Sequence, residues 1–380
     1  METTITELVG FFNLNWQAVV MLVIACVLLW LGISKKVEPV LLVPIGVGCM
    51  LANIPLGGVA ENGGFLAVLA DLGIRTEIFP LLIFIGVGAM IDFEPLLQRP
   101  YTIFLGPAAH FGVFGSFFIA YLLGDGWLHL LDFNFMDSAS IGIIGACDGP
   151  TAIYVSTVVG SKYAAPIVVI AYSYMALVPI IQPPVIKAMC SKEQRAVKMT
   201  VIKGAIPQRV KILFPIITTL VAGLVSPFAV PLIGTLMFGN LLRECGVVKS
   251  LSASAQNEMT NIVTILLGIT VGGTMTGPDF LKTETLLILG IGLIAYILNT
   301  VGGVLLGKFM YHLSGKKINP MIGACGISAF PMSARVVQKM GQEANKQNHL
   351  LMHAVGANVA GQITSVIAGG AILMLVKMFA

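Results

Sequence analysis

One carboxylate stands where a carboxylate is costly. The stretch Ile143-Ile144-Gly145-Ala146-Cys147-Asp148-Gly149-Pro150-Thr151 sets an acid, a glycine and a proline inside an apolar run from Ala139 to Gly160. Gly-Pro breaks a helix, because proline lacks an N–H and restricts the residue before it. In a membrane, backbone groups freed by such a break are tolerated only against protein or a watery cavity. An acidic residue at that depth costs roughly 2.5–3.5 kcal/mol on insertion scales, which marks Asp148 as a candidate functional group. The plainer alternative is a loop aspartate capping the helix that begins near Thr151. The apolar flanks leave little room for an ordinary aqueous loop.

A second stretch offers complementary chemistry: Asn319-Pro-Met-Ile-Gly-Ala-Cys-Gly-Ile-Ser-Ala-Phe-Pro-Met-Ser-Ala-Arg335. Asn319, Ser328 and Ser333 supply neutral oxygens, while Gly323, Gly326, Pro320 and Pro331 permit irregular backbone. With Asp148 they form a set of hard oxygens carrying one negative charge, suited to Na⁺ or a proton and not to a soft transition metal. Each serine alone reads equally well as a hydrogen bond between helices. Ala171-Tyr-Ser-Tyr-Met-Ala-Leu-Val-Pro-Ile-Ile-Gln-Pro-Pro184 adds Tyr172, Ser173 and Tyr174 within a span, and a tyrosine near Asp148 could relay a proton. His110 reads as a packing histidine, Asp92 and Glu94 beside Arg99 as a cytoplasmic charge cluster, and Asn358 as a possible further ligand.

The elements that hold these groups are membrane helices. The 380 residues are 57% hydrophobic and 11% charged, with 42 glycines and a mean hydropathy of +0.92. Apolar runs long enough for ~30 Å of hydrocarbon recur throughout. Spans are expected at about 16–33, 37–55, 76–91 and 101–123, then a broken stretch at 139–160 and a span at 163–185. After a polar loop to residue 208 come spans at about 209–226, 228–242, 259–277 and 285–307, a broken stretch at 320–338 and a last span at 350–377. The six cysteines read as packing residues without CxxC pairs. The acidic start Met-Glu-Thr-Thr-Ile-Thr-Glu does not resemble a cleavable signal peptide.

The two halves echo one another in order. Pro44 lies opposite Pro231, Gly88 opposite Gly272, and Ile144-Gly-Ala-Cys147 opposite Ile322-Gly-Ala-Cys325. This divides the chain into a first repeat, 1–205, with the Asp148 hairpin, and a second, 206–380, with the Asn319–Arg335 hairpin. Lys35, Lys36, Lys187, Lys192, Arg195, Lys198, Lys203, Lys308, Lys316, Lys317, Arg335, Lys339 and Lys346 fall in loops that the positive-inside rule places in the cytoplasm. The net charge of +4 therefore reports membrane orientation, not nucleic-acid binding. If each broken stretch is a re-entrant hairpin, each half has five crossings. The repeats are then inverted and their hairpin tips meet near the midplane, as in secondary transporters.

Two nominal motifs fail. Gly302 to Lys308 fits a phosphate-binding loop, but Phe309 replaces the Mg²⁺-holding Ser or Thr. Gly290-Ile-Gly292 has no preceding strand.

The three motifs around Asp148, Tyr172–Pro184 and Asn319–Arg335 together resemble the β subunit of the Na⁺-translocating biotin-dependent decarboxylases, which act on oxaloacetate, glutaconyl-CoA or methylmalonyl-CoA. The likeness covers nearly the whole chain, with Cys147 departing from an expected alanine. It implies an all-α polytopic protein of the cell (inner) membrane that decarboxylates carboxybiotin, exports Na⁺ and consumes a proton. It further implies partners: a carboxyltransferase α subunit, a biotin carrier subunit, a small membrane subunit and further copies of the chain. Carried across, Asp148, Tyr174 and Arg335 are catalytic, Arg335 binds carboxybiotin, and Asp148, Asn319, Gly323 and Ser328 hold Na⁺. The length points toward the CoA-ester members. The rival expectation is a self-sufficient Na⁺/H⁺ or Na⁺/carboxylate transporter, separated by whether a soluble biotinylated partner copurifies. A plain membrane anchor would leave Asp148 unexplained.

Overall fold

The computed structural model describes residues 9–36, 38–200 and 204–379. The acidic residues 1–7, Val37 at the expected start of the second span, and Lys203 lie outside them. The described chain is helical without strands. The helices are α1 (Trp16–Ile33), α2 (Pro39–Ala52), α3 (Ile78–Met90), α4 (Pro100–Gly126), α5 (Phe135–Ala146), α6 (Gly149–Val159) and α7 (Ala164–Met189). There follow α8 (Gln208–Val225), α9 (Val230–Glu244), α10 (Thr260–Gly273), α11 (Thr283–Leu313), α12 (Met332–Ala344) and α13 (Leu351–Phe379).

Among the described residues, five helices are long and apolar enough to cross a membrane, six if the bent α7 counts as one span. Ten were expected. The shortfall lies in α2, α3 and α9, of 14, 13 and 15 residues, which at 1.5 Å per residue reach about 20 Å. α10 continues back to Lys249 through a π-helical turn, but its start is polar. A short helix, Phe65–Leu69, also occupies a stretch expected to be loop. Hydropathy alone cannot separate a helix buried in protein from one that crosses lipid, since both need apolar sides.

The molecule is organised around α13, whose most apolar window is 72% buried, whereas that of α8 is only 11% buried and turns its apolar residues outward. α7 bends by 63° between Met175 and Leu177. The cause is Pro179, whose ring collides with the carbonyl four residues earlier.

Four glycines set the closest crossings. A Cβ at Gly48 would lie 2.1 Å from the Ile269 carbonyl oxygen, and one at Gly272 would lie 2.0 Å from that of Ile45, so α2 and α10 touch backbone to backbone. α3 and α9 cross the same way: a Cβ at Gly88 would lie 1.8 Å from the Leu236 oxygen, and one at Gly239 1.9 Å from that of Ile85. Small residues permit this approach, and van der Waals packing holds it in the absence of a hydrophobic drive between helices. A side chain at Gly239 must force the helices apart, so Gly239→Leu is expected to destabilise the folded chain by about 3 kcal/mol or more. Gly234→Ala on the same helix meets nothing within 4 Å and serves as the neutral control. Thermal unfolding of the two purified variants measures the difference.

Candidate functional site at the Asp148 break

α5 starts at a capping box in which Asn134 accepts from the Asp137 amide at 2.7 Å. It tightens to a 3₁₀ turn at Ile143–Ala146 and stops at Cys147, which is left-handed with φ 54°. Asp148 is extended and precedes Gly149 and Pro150, the first residues of α6. Asn299 of α11 takes up the backbone groups this break frees. Its amide donates to the Gly145 carbonyl, and its oxygen accepts from the Gly112 amide of α4 at 2.8 Å.

The second break is built alike. Pro320–Cys325 forms a 3₁₀ turn, and irregular chain follows until α12. The Ala324 carbonyl there accepts from Gln182 of α7 at 2.9 Å and from Ser333 at 3.1 Å. Ser333 also donates to Gln182 at 2.9 Å, so its hydroxyl is committed to holding this turn.

Asp148 is 4% exposed. Its Oδ2 accepts from Thr151 Oγ at 2.7 Å and from Ser365 Oγ of α13 at 2.8 Å. Ser328 of the second break and the Thr151 amide lie beside the same carboxylate. The amide is what a helix cap would use; the hydroxyls from α13 and the second break go beyond a cap. Gln362 donates to the Ser328 carbonyl and, at 2.8 Å, to its hydroxyl. Asn358 donates to the Ile327 carbonyl at 2.6 Å. The other atom of each amide, Gln362 Oε1 and Asn358 Oδ1, is buried without a donor. Buried acceptors are ordinarily paired. Residues 358, 362 and 365 share one face of α13, so the face turned to the second break carries two unfilled amide oxygens and the Ser365 hydroxyl. A carboxylate with neutral amide and hydroxyl oxygens is a donor set for a hard monovalent cation. Among the described residues no cluster of three His, Cys, Asp or Glu offers a softer alternative.

Asp148 and Ser328 are thus brought together, and Asn358 lies on the neighbouring face. Asn319 and Gly323 are placed elsewhere on the second hairpin. Asn319 donates to the Arg195 and Val197 carbonyls at 3.0 and 2.9 Å and accepts from the Met321 amide at 3.0 Å. Gly323 packs on α11, where a Cβ would meet the Gly303 oxygen at 1.9 Å. The Tyr174 hydroxyl donates to the Leu289 carbonyl of α11, and its ring lies 6.4 Å from that of Tyr296. His110 is a packing residue, with Nδ1 2.9 Å from the Gly106 carbonyl. The charge cluster exists with different partners: Glu94 pairs with Lys211 and Asp92 with Arg243, while Arg99 bonds Tyr101 and the Thr200 carbonyl. The hydrogen bond from Lys211 holds the Glu94 carboxyl below its usual range. Sequence reasoning missed Thr151, Gln362 and Ser365. For Gln362 and Ser365 the signal is the polar stripe they form with Asn358 at i, i+4 and i+7 along an apolar span.

Arg335 is exposed on α12 and lines a cavity of about 620 Å³ with Lys36, Lys339, Glu38 and apolar residues of α1, α2 and α7. Burial raises the Glu38 carboxyl above its ordinary range, and the Arg335 charge pulls it back down.

A many-helix apolar bundle with a buried carboxylate and unpaired amide oxygens between two broken helices defines a polytopic membrane protein. The chain belongs to the family described as Na⁺-transporting oxaloacetate decarboxylase beta subunit, whose sequence profile matches residues 17–376. It is 47% identical to methylmalonyl-CoA decarboxylase subunit beta of Propionigenium modestum, over 96% of each chain. To glutaconyl-CoA decarboxylase subunit beta of Acidaminococcus fermentans it is 46% identical, over 98% of this chain and 97% of that one. To the oxaloacetate decarboxylase beta chain of Haemophilus ducreyi it is 41% identical over 97% of each.

Asn299 is the post on which the first break rests. Asn299→Leu leaves the Gly112 amide buried and unpaired, at about 1–3 kcal/mol, and the Gly145 carbonyl with only the weak Cys147 Sγ contact at 3.5 Å. The expected outcome is a clearly lowered unfolding midpoint of the purified chain.

Proposed function

We propose that this chain is the membrane subunit of a sodium pump in which decarboxylation of carboxybiotin drives Na⁺ outward with consumption of a proton. The observation that carries the reading is the Asp148 constellation: one buried carboxylate, hydroxyls from three segments, and two buried amide oxygens left without donors. Asp148 and Ser328 hold Na⁺ together with Thr151, Ser365, Asn358 and Gln362. Asn319 and Gly323 act on the same ion through the hairpin that carries Ser328.

Export of one Na⁺ against ~100 mV costs roughly 2.3 kcal/mol, and a tenfold gradient adds about 1.4. The sequence offers no nucleotide site, so an exergonic step must be brought to the chain. A biotin carrier supplies it, charged by a carboxyltransferase α subunit, with a small membrane subunit and further copies of this chain completing the complex in the inner membrane. Loss of CO₂ leaves negative charge on biotin, which takes up a proton. Asp148 cannot hold H⁺ and Na⁺ equally well, because protonation removes the charge that attracts the ion. Tyr174 lies on the proton's side of this exchange.

The basic cavity is the entry for carboxybiotin. Its volume is in the range of small-molecule pockets, its walls suit the ring, and the planar fork of Arg335 suits a carboxylate. The reciprocal crossings of α2 with α10 and of α3 with α9 support inverted repeats. A two-fold exchange of the halves carries one crossing onto the other, pairing Gly48 with Gly239 and Gly88 with Gly272. That register is one helical turn from the one that opposes Pro44 to Pro231. Nothing in the site favours the self-sufficient transporter, and the relatives named above are decarboxylase β subunits.

In the assembled complex, Asp148→Asn is expected to abolish both Na⁺ transport and carboxybiotin decarboxylation while the protein still folds. Na⁺-dependent turnover at the wild-type rate would refute the reading. Arg335→Lys keeps the charge but loses the paired hydrogen bonds, so decarboxylation should fall at least tenfold, roughly the worth of one charged hydrogen bond. Na⁺ affinity should be little changed. A silent Arg335→Lys would reduce Arg335 to a topological anchor.

A further inference from the structure

Two tyrosines two residues apart on α7 point in different directions, because successive positions on a helix turn by about 100°. The Tyr174 hydroxyl is satisfied by α11. That of Tyr172 is not: the residue is 4% exposed and its hydroxyl has no partner. A buried phenol normally finds one. Its ring lies against the backbone at the Asp148 break, since a Cβ on Gly149 would sit 2.2 Å from Cζ, the carbon bearing the hydroxyl. The phenol also lies within electrostatic range of the Asp148 carboxylate. Gly149 is therefore more than part of a helix-breaking pair. Its bare Cα is the space into which the end of the Tyr172 ring fits.

We propose that the Tyr172 hydroxyl is a ligand for the cation at Asp148, its oxygen lone pair turned to the ion. This rests on the reading of Asp148 as the Na⁺ site, and it adds a member that α7 contributes to a set drawn from α6, α13 and the second break. Besides the Tyr172 hydroxyl, Asn358 Oδ1 and Gln362 Oε1 are buried without partners. Each has an oxygen lone pair to offer, and a single cation uses all of them. Tyr172 also lies on the first arm of α7, ahead of the bend, while Leu177, Pro179 and Ile180 on the second arm line the Arg335 cavity. One bent helix thus contributes to both sites.

The test is equilibrium binding of radioactive Na⁺ to the purified assembled complex. Tyr172→Phe keeps the ring against Gly149 and removes only the oxygen, so the Na⁺ dissociation constant should rise roughly fivefold to tenfold. Tyr174→Phe should leave it unchanged. Asp148→Asn should abolish binding. Wild-type Na⁺ affinity in Tyr172→Phe, with binding lost in Asp148→Asn, overturns the assignment of Tyr172 alone. Retained binding in Asp148→Asn overturns the underlying site. Should Tyr172→Phe fail to fold, 3-fluorotyrosine at position 172 preserves the phenol. Its fluorine NMR signal should shift on titration with Na⁺ and not with choline; an unmoved signal overturns the proposal.

Discussion

Everything in this protein answers to one constraint: a carboxylate must be kept ionisable inside a bundle of apolar helices. Removing such a charge from water costs several kcal/mol unless other groups replace the water. Thr151 and Ser365 do part of this, and the break itself places the N-terminus of α6 beside the acid, where the helix dipole favours negative charge. The backbone groups released by the break are closed off separately, by Asn299 on one hairpin and by Gln182 and Ser333 on the other. The turns of both hairpins thus have freed backbone groups paired, while two amide oxygens beside Asp148 and Ser328 are not.

The second hairpin joins the two halves of the chemistry. Within one short segment it presents Ser328 to the Asp148 carboxylate and, a little further on, Arg335 to the basic cavity. Under the proposed function, a carboxylate engaging Arg335 would act on the same stretch of chain that presents Ser328 to Asp148. Gln362 grips that stretch at both the carbonyl and the hydroxyl of Ser328, so α13 registers any shift in it.

Much of this was legible in the sequence, and the failures have physical causes. Gly149-Pro150 announced the first break, and Asn319 to Arg335 the second, because proline and glycine act on the backbone wherever they stand. Apolar composition marked α2, α3 and α9 as spans, but their 13 to 15 residues are shorter than ~30 Å of hydrocarbon requires. The polar stripe of α13 went unread because Asn358 was weighed alone, whereas the information lay in its spacing to Gln362 and Ser365. Tyr174 and Tyr172 could not be told apart from sequence: both are phenols in one span, and only the rotation of α7 decides which faces Gly149. Glu94 was assigned to the nearby Arg99, but the bundle brings Lys211 from the other half of the chain instead.

The glycine crossings bear on how the protein can move. Where backbones meet with no side chain between them, sliding by even one residue brings a Cβ against a carbonyl, so α2 with α10 and α3 with α9 behave as welded pairs. Each weld joins a helix of one half to a helix of the other, and the four helices form a frame that resists shear. By the same measure the second hairpin is welded to α11 through Gly323 and Gly303, so the bend that Pro179 puts into α7 is where the bundle is most readily flexed. In so stiff a frame the bent α7, which holds Tyr172 on one arm and lines the Arg335 cavity with the other, is a compliant member.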